Sequence, residues 1–499
     1  FYFKLSSVNK RLKISIILFL SFFAAYSQTQ PMTSCNLVVY KVGNGINSIS
    51  GSGAGIAFPV SIDEINPING AISQTLTTQF TGSSLLTQSG NSTSVGLLNS
   101  YNGYLSVPGY SSTLGTALPS SNKANSIIDG NNSVLTYTSS GFPFGSSTHL
   151  RSTLPVSLNT FYATGASGGL NYYNGTTFAQ ISNTVSNIRN IEIFNGNLYF
   201  STGAGTNGIY QVGSGLLTSA NQTAVLIVPT SSPYGFSISP DGCTMYVADD
   251  LISSPGGISK WLKVNGTWVW QYRLSLPNEY VYAFGLAVDY SGSNNVIYAT
   301  VYKSILPVTT FSPPANTVIG LTDNGASFSL MWTYAATSNY RFAGIDFTPN
   351  SYKPITITQQ PIVSASYCQN TTTIAPLSVS ATSSGLISYQ WYSNTTNDYC
   401  GATAISGATL ASYQPSVTTV GTKYYFVKMK SSCASIVNSA IAVITVNPLT
   451  IPTFTQVGPY CSGATIPALP LTSINNISGT WSPAINNTTT VTYTFTPTS

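Results

Sequence analysis

The feature that most constrains this chain is a short strand pattern that keeps returning after a turn. It reads x-Leu/Ile/Met/Phe-Tyr-small. The instances are Thr160-Phe161-Tyr162-Ala163-Thr164, Asn197-Leu198-Tyr199-Phe200-Ser201, Thr244-Met245-Tyr246-Val247-Ala248 and Val296-Ile297-Tyr298-Ala299-Thr300, with a weaker copy at Tyr104-Leu105-Ser106-Val107. The tyrosines fall at 162, 199, 246 and 298, in steps of 37, 47 and 52. An irregular period of about 40–50 residues suits a propeller blade of four strands. Asn102-Gly103, Asn195-Gly196, Asp241-Gly242, Asn265-Gly266 and Asn324-Gly325 supply turns between strands, because these residues tolerate positive φ.

Five complete units start near Ser92, Ser147, Ile188, Tyr234 and Tyr282. A sixth opens with Phe342-Ala343-Gly344-Ile345-Asp346-Phe347 and then runs out. Its missing strands can come from the amino end, where Leu37-Val38-Val39-Tyr40, Val60-Ser61-Ile62 and Ile72-Ser73-Gln74-Thr75-Leu76 are unassigned. Closure from both termini removes exposed sheet edges. The expectation is therefore an all-β chain whose residues 35–353 form a six-bladed β-propeller, with seven blades as the alternative. Only 6% of the residues are charged, against about a quarter in an average domain. A coiled coil or helical bundle would need those charges on its wet faces, so both are excluded.

Residues 1–27 read as a secretory signal peptide. Lys4, Lys10, Arg11 and Lys13 precede an apolar run from Ile14 to Ala25, and Ala25-Tyr26-Ser27 gives a small-x-small exit. The run is too short to span a bilayer, so no membrane span is expected in the mature chain. Without the leader, 13 Lys and Arg face 12 Asp and Glu. That balance leaves no electrostatic footprint for nucleic acid. Six cysteines in an exported chain are candidates for disulfides. The chain reads as a fragment at both ends.

Ser239-Pro240-Asp241-Gly242-Cys243-Thr244-Met245-Tyr246-Val247-Ala248-Asp249 resembles a signature of secreted bacterial β-propellers. The resemblance speaks to fold and not to activity. Beyond Tyr352-Lys353-Pro354, Ser and Thr dominate and Asp398 is the one acidic residue. In the segment 355–448, Tyr389-Gln390-Trp391-Tyr392 resembles the central strand of an Ig-like β-sandwich, and Thr422-Lys423-Tyr424-Tyr425-Phe426-Val427 the late strand facing it. Residues 449–499, with Tyr460-Cys461, Gly479-Thr480-Trp481 and Val491-Thr492-Tyr493, resemble a partial second module. Such tandem repeats are similar to those of multidomain surface proteins often exported by the type IX route. Cys433 lies well past the position of an antibody-type cysteine, and Cys368 is its expected partner. A bridge of Cys400 to either of them stays open, as do the pairings of Cys35, Cys243 and Cys461.

Chemistry-bearing residues are few. His149 is the one histidine, which excludes His-based zinc sites, and it reads as a solvated loop residue. No phosphate-binding glycine loop, no metal site and no cofactor is expected. The carboxylates Glu192, Asp241, Asp249, Asp250, Glu279 and Asp289 lie in the propeller region. Asp249 and Asp250 directly follow a blade strand and are the weak ligand candidates among them. Their bland role is to cap strand ends; calcium binding or acid–base catalysis are the alternatives. Trp268-Val269-Trp270-Gln271-Tyr272 alternates, so Trp268, Trp270 and Tyr272 would share one strand face, either as packing between blades or as a platform for sugar rings.

These readings favour an exported, non-enzymatic binding or adhesion protein. The propeller would meet an extracellular protein or glycan, with Ig-like modules as spacers. A secreted glycan-active hydrolase or lyase and a lectin-like propeller are the alternatives. Oligomeric state is left open.

Overall fold

The computed structural model describes residues 30–498 apart from 50–54, 78–84, 93, 119–121, 140, 146–148, 252–256, 275, 277–279, 304–315 and 326. The expected signal peptide and Glu279 lie outside the described residues. Among these residues the secondary structure is β-strand, save for one short 3-10 turn at Pro349–Ser351. No helix among them is long and apolar enough to cross a membrane.

The chain opens with β1 (Leu37–Gly43), β2 (Ala57–Ile65), β3 (Ile72–Thr77) and β4 (Leu86–Ser89). Next come β5 (Asn99–Tyr101), β6 (Tyr104–Ser111), β7 (Asn122–Asp129) and β8 (Val134–Ser139). Four antiparallel sheets of four strands follow. They are β9 (Leu150–Ser157), β10 (Thr160–Gly165), β11 (Leu170–Tyr173) and β12 (Phe178–Ser182); then β13 (Ile188–Phe194), β14 (Asn197–Thr202), β15 (Gly208–Val212) and β16 (Ala224–Pro229). The third is β17 (Pro233–Ile238), β18 (Thr244–Asp249), β19 (Gly257–Val264) and β20 (Thr267–Leu274). The fourth is β21 (Tyr280–Asp289), β22 (Val296–Lys303), β23 (Thr317–Asp323) and β24 (Phe328–Ala335). β25 (Tyr340–Phe347) ends the series.

β25 does not start a sheet of its own. It pairs with β1, Val39 opposite Ile345, and β1 pairs onward with β2 and β2 with β3. Strands from both termini thus build one four-strand run, while β5 to β8 build another; β4 bridges β2 and β6. The first strands β5, β9, β13, β17, β21 and β25 touch one another in a closed cycle. The arrangement is propeller-like.

Glycines set how closely these first strands approach. A Cβ on Gly285 would lie 2.7 Å from the Ala343 carbonyl oxygen, and one on Gly344 would lie 2.2 Å from the Leu98 nitrogen. Backbone therefore packs on backbone, and Gly344 N donates to the Gly96 carbonyl at 2.8 Å. In two units the hydroxyl residue two places after the motif tyrosine ties adjacent sheets. Ser201 Oγ accepts from Asn190 N (3.1 Å) and donates to the Tyr234 carbonyl (2.6 Å). Thr300 Oγ1 likewise accepts from Gly285 N (2.8 Å) and donates to the Ala343 carbonyl (2.6 Å).

A second module comprises β26 (Thr356–Gln359), β27 (Ser364–Cys368), β28 (Leu377–Ser378), β29 (Ser380–Thr382) and β30 (Ser388–Asn394), then β31 (Thr403–Ala404), β32 (Ser412–Tyr413), β33 (Gly421–Ser432), β34 (Ser435–Asn438) and β35 (Ala442–Asn447). A six-stranded sheet in the order β27-β35-β33-β30-β31, with β34 on β33, packs with the pairs β26–β29 and β28–β32 around Trp391. Trp391 is fully buried and its Nε1 donates to the Leu410 carbonyl at 2.9 Å. Finally β36 (Gly479–Ser482) and β37 (Thr494–Pro497) pair beside a cluster of Phe454, Trp481 and Phe495.

The disulfides correct the expected pairing. Cys35 bonds Cys433 and Cys243 bonds Cys400, with Cα separations of 5.7 and 5.3 Å. Cys368 and Cys461 are exposed thiols. Cys368 pairs across to Asn447, level with the Gly421 end of β33, whereas Cys433 follows the Ser432 end. Twelve residues of strand separate those ends, roughly 35 Å at the usual rise, and a disulfide needs Cα atoms within about 7 Å. Both bonds instead join the second module to the propeller-like part. An ion pair of Lys428 Nζ with Asp241 Oδ2 at 3.3 Å crosses the same junction.

Two outcomes follow. Peptide mapping without reductant should recover Cys35 linked to Cys433 and Cys243 to Cys400, with Cys368 and Cys461 open to alkylation; a Cys368–Cys433 peptide would contradict the junction. Gly344→Ala should lower stability in thermal melts by about 1–3 kcal/mol, as overpacking does elsewhere, since the clash is with backbone.

Candidate functional site

The first strands enter the molecule at one end of their ring and leave at the other. Their later residues, among them Glu192 of β13, Ser237 of β17, Val288 of β21 and Asp346 of β25, line a cavity of about 380 Å3. Tyr399, Cys433, Ala434, Ile436, Val437 and Asn438 of the second module complete its wall. The two disulfides fix that wall in place, because they sit at the same junction.

Three carboxyls line this cavity, Glu192, Asp241 and Asp346, and two of them are strongly shifted. Asp346 Oδ2 accepts from Ser100 N at 2.5 Å and Oδ1 from Phe347 N at 2.7 Å. Burial lifts Asp346 to about 7 despite those two N–H donors, which act the other way. Glu192 is lifted well above the usual carboxylate range, first by burial and then by the charge of Asp346. Tyr290 and Tyr352 close the same region, each phenol pushed up chiefly by burial. The pair thus keeps its protons to higher pH than ordinary carboxyls do, and each can act as hydrogen-bond donor while protonated.

Asp249 and Asp250 lie near the other end and are engaged. Asp249 is buried; its Oδ2 accepts from Ser232 N (3.0 Å) and its Oδ1 from Leu251 N (2.9 Å), and Arg273 Nη2 stands 3.9 Å away. It caps a strand end. Asp250 Oδ1 is 3.6 Å from Arg189 Nη1. No group of three metal ligands includes either residue among those described. Asp241 is held by Ser239, Cys243 N and Lys428 at the junction, and Asp289 accepts from Ser291 N at 2.7 Å.

The aromatic stripe does not share one face. Lys260 pairs with Tyr272 but the next residue, Trp261, pairs with Trp270. Gln271 is therefore an extra residue, and such a bulge reverses the alternation. Trp268 and Trp270 stay on the face of Trp261, where Trp268 packs with Phe194, Ile227 and Met245 against the preceding sheet. Tyr272 turns to the following sheet, its hydroxyl donating to Asp323 Oδ1 at 2.9 Å. Trp270 alone is half exposed, at 52%. His149 also departs from expectation: it is partly buried, with Nδ1 2.9 Å from the Tyr110 hydroxyl, and burial lowers its pKa.

In the sequence Glu192 stands out only as one of six propeller carboxylates and Asp346 only as part of a strand, and Arg151 and Arg189 carry no motif of their own. Their signal was present, in the matching triplets Leu150-Arg151-Ser152 and Ile188-Arg189-Asn190 at equivalent places in consecutive units.

The lifted carboxyls make a pH prediction. A carboxyl that holds its proton more tightly when folded favours the folded state below the ordinary carboxylate range, and that contribution is lost as pH rises through about 7. The melting temperature should therefore fall between about pH 4 and 7 and level off above that. Asp346→Asn should flatten this limb; an unchanged slope would show that Asp346 titrates normally.

Residues 362–448 match a family model described as a domain of unknown function (DUF8696). No curated protein matches the chain. Among solved structures, a hypothetical selenium-binding protein from Sulfolobus tokodaii is similar at 7% identity over 64% of this chain and 96% of that one, TM-score 0.38. TolB from Acinetobacter baumannii is similar at 10% identity over 63% and 66%, TM-score 0.39. A periplasmic gluconolactonase from Pseudomonas aeruginosa is similar at 10% identity over 62% and 99%, TM-score 0.33. Likenesses this distant carry no argument about the activity of this chain.

Proposed function

We propose that this chain is an exported, non-enzymatic binding protein of the cell surface or extracellular space. In this reading residues 35–353 are a six-bladed β-propeller, 355–448 an Ig-like β-sandwich and 449–499 part of a further module. The closed cycle of six first strands supports the blade number. The packing of two layers around Trp391 supports the sandwich. The observation that carries the reading is the junction: two disulfides and an ion pair seat the sandwich over one end of the propeller axis. Disulfides persist in oxidising compartments, and a partner-binding face held rigidly on its spacer loses less ordering entropy on binding. The end away from the sandwich is then the face for an extracellular protein or glycan. The surface-protein resemblance of the tandem modules agrees with display through the type IX route.

A second reading has one observation behind it. Glu192 and Asp346 face a common cavity and both hold a proton to higher pH than ordinary carboxyls, a shift in the direction a glycan-active hydrolase needs in its general acid. The sandwich wall limits that cavity to a small substrate. Incubation of the intact, oxidised chain with polysaccharides and sugar lactones should give saturable binding to a ligand and no product. Product formation that disappears in Glu192→Gln or Asp346→Asn would replace the binding reading with the hydrolase.

A further inference from the structure

Four arginines lie beyond the leader, and three of them, Arg151, Arg189 and Arg341, sit at the start of a first strand. In a chain with so few charges, that placement calls for an account. Arg151 is an extra residue in its pairing: Ser152 stands opposite Thr164 and Leu150 opposite Gly165. Arg189 is extra in the same way, between Ile188 opposite Thr202 and Asn190 opposite Ser201. In the next unit Tyr234 and Gly235 together face one residue, Ala248. A bulge re-aims the side chain it carries, and here three consecutive units aim theirs at one mouth of the ring.

The side chains meet there. The Arg189 guanidinium lies over the Tyr234 ring at 4.1 Å, donates to Ser232 Oγ (2.8 Å) and the Pro233 carbonyl (3.2 Å), and pairs with Asp250 at 3.6 Å. Arg151 is close enough to feel Arg189, Tyr234 and Asp250; burial pulls it down to about 10, and Arg189 adds to that. Arg151 Nε and Nη1 and Arg189 Nε are buried with no acceptor among the described residues. Arg341 is better satisfied: Nε and Nη2 donate to the carbonyls of Gly90 and Ser89 at 3.1 and 3.2 Å, and Nη1 lacks an acceptor among the described residues. A buried guanidinium with unsatisfied N–H groups is costly unless an anion completes it.

We propose that this mouth is a binding site for a carboxylate, that of a uronic acid residue in an acidic glycan, with Arg151 as its principal donor. The charge count selects the ligand. Two guanidiniums against one Asp250 carboxylate leave a single positive charge, which one monoanion neutralises; a phosphate dianion would overshoot and meet Asp250. A planar carboxylate also matches the fork of a guanidinium. Below the arginines, Tyr234, Tyr282, Phe284 and Tyr302 form a buried aromatic cluster, with Tyr234 and Tyr302 each edge-to-face on Phe284, so the mouth recognises the carboxylate and the sugar ring stays outside the cluster. Arg189 and Asp250 retain side-chain exposures of 13% and 19%, so this edge of the cluster reaches the surface.

The inference rests on the binding reading and names its ligand. The test is titration calorimetry on the intact, oxidised chain at fixed ionic strength with glucuronate, glucose and a blocked dipeptide carrying a C-terminal carboxylate. Glucuronate should bind at least about tenfold more tightly than glucose, a difference expected of charge-assisted pairing. Arg151→Met should remove that difference. Asp250→Asn, which lifts the competing charge, should tighten glucuronate, and this variant tests the site even if Arg151→Met folds poorly. Lys263→Ala, on the outer hairpin, should bind as the parent does. Glucuronate no tighter than glucose, a dipeptide tighter than glucuronate, or unchanged affinity in both mouth variants would overturn the assignment. Should carboxylate binding fail while the chain still binds a neutral glycan or a protein without turnover, the ligand assignment falls and the wider reading stands. Glycan turnover would remove the wider reading instead.

Discussion

The pairing of β1 with β25 is the constraint on which the rest of the structure depends. Val39 stands opposite Ile345 across more than three hundred residues of sequence. Without that pairing the last first strand has no sheet, and β1 to β3 have no axis to face. The same pairing carries Cys35 to the corner where the chain leaves the ring, and Cys35 N donates to Ser351 Oγ at 2.8 Å there. Cys433 reaches it from the second module. Ring closure and attachment of the second module are thus one event in space, and an apolar cluster of Leu37, Val39, Ile345, Phe347 and Cys433 spans both.

Closure has a further effect on the two ends of the ring. Close glycine contacts between first strands leave little room for side chains along the axis, so polar groups gather where the strands begin and end. At one end the carboxyls of Glu192 and Asp346 lie beneath the second module, and burial raises their hold on protons. At the other, strand bulges turn Arg151 and Arg189 into the mouth. One end therefore gathers carboxyls and the other guanidiniums.

Much of the all-β architecture was legible because its signals are local. Tyr162, Tyr199, Tyr246 and Tyr298 fall in β10, β14, β18 and β22, the second strand of each sheet. Their pattern encodes one face packed against a neighbour, and in two units the hydroxyl residue two places on, Ser201 or Thr300, bonds to the next sheet. The unfilled strands at the amino end pointed to β25 by elimination. What stayed hidden is non-local. Cysteine pairing depends on how two modules meet, and Cys368 with Cys433 looked reasonable only while the length of β33 was unknown. Gln271 hides a bulge that strict alternation cannot show, and it sends Tyr272 away from Trp270. Arg151 and Arg189 were unremarkable in sequence because their meaning lies in pairing registers. Asp346 gained its role from a wall supplied by another module.

Hydrogen exchange across residues 37–43 and 340–347 of the intact chain tests closure most directly. The account predicts that the paired amides of β1 and β25 are protected together and lose protection together as denaturant is raised. Amides of β1 that exchange as fast as exposed turns, while β25 stays protected, would contradict it.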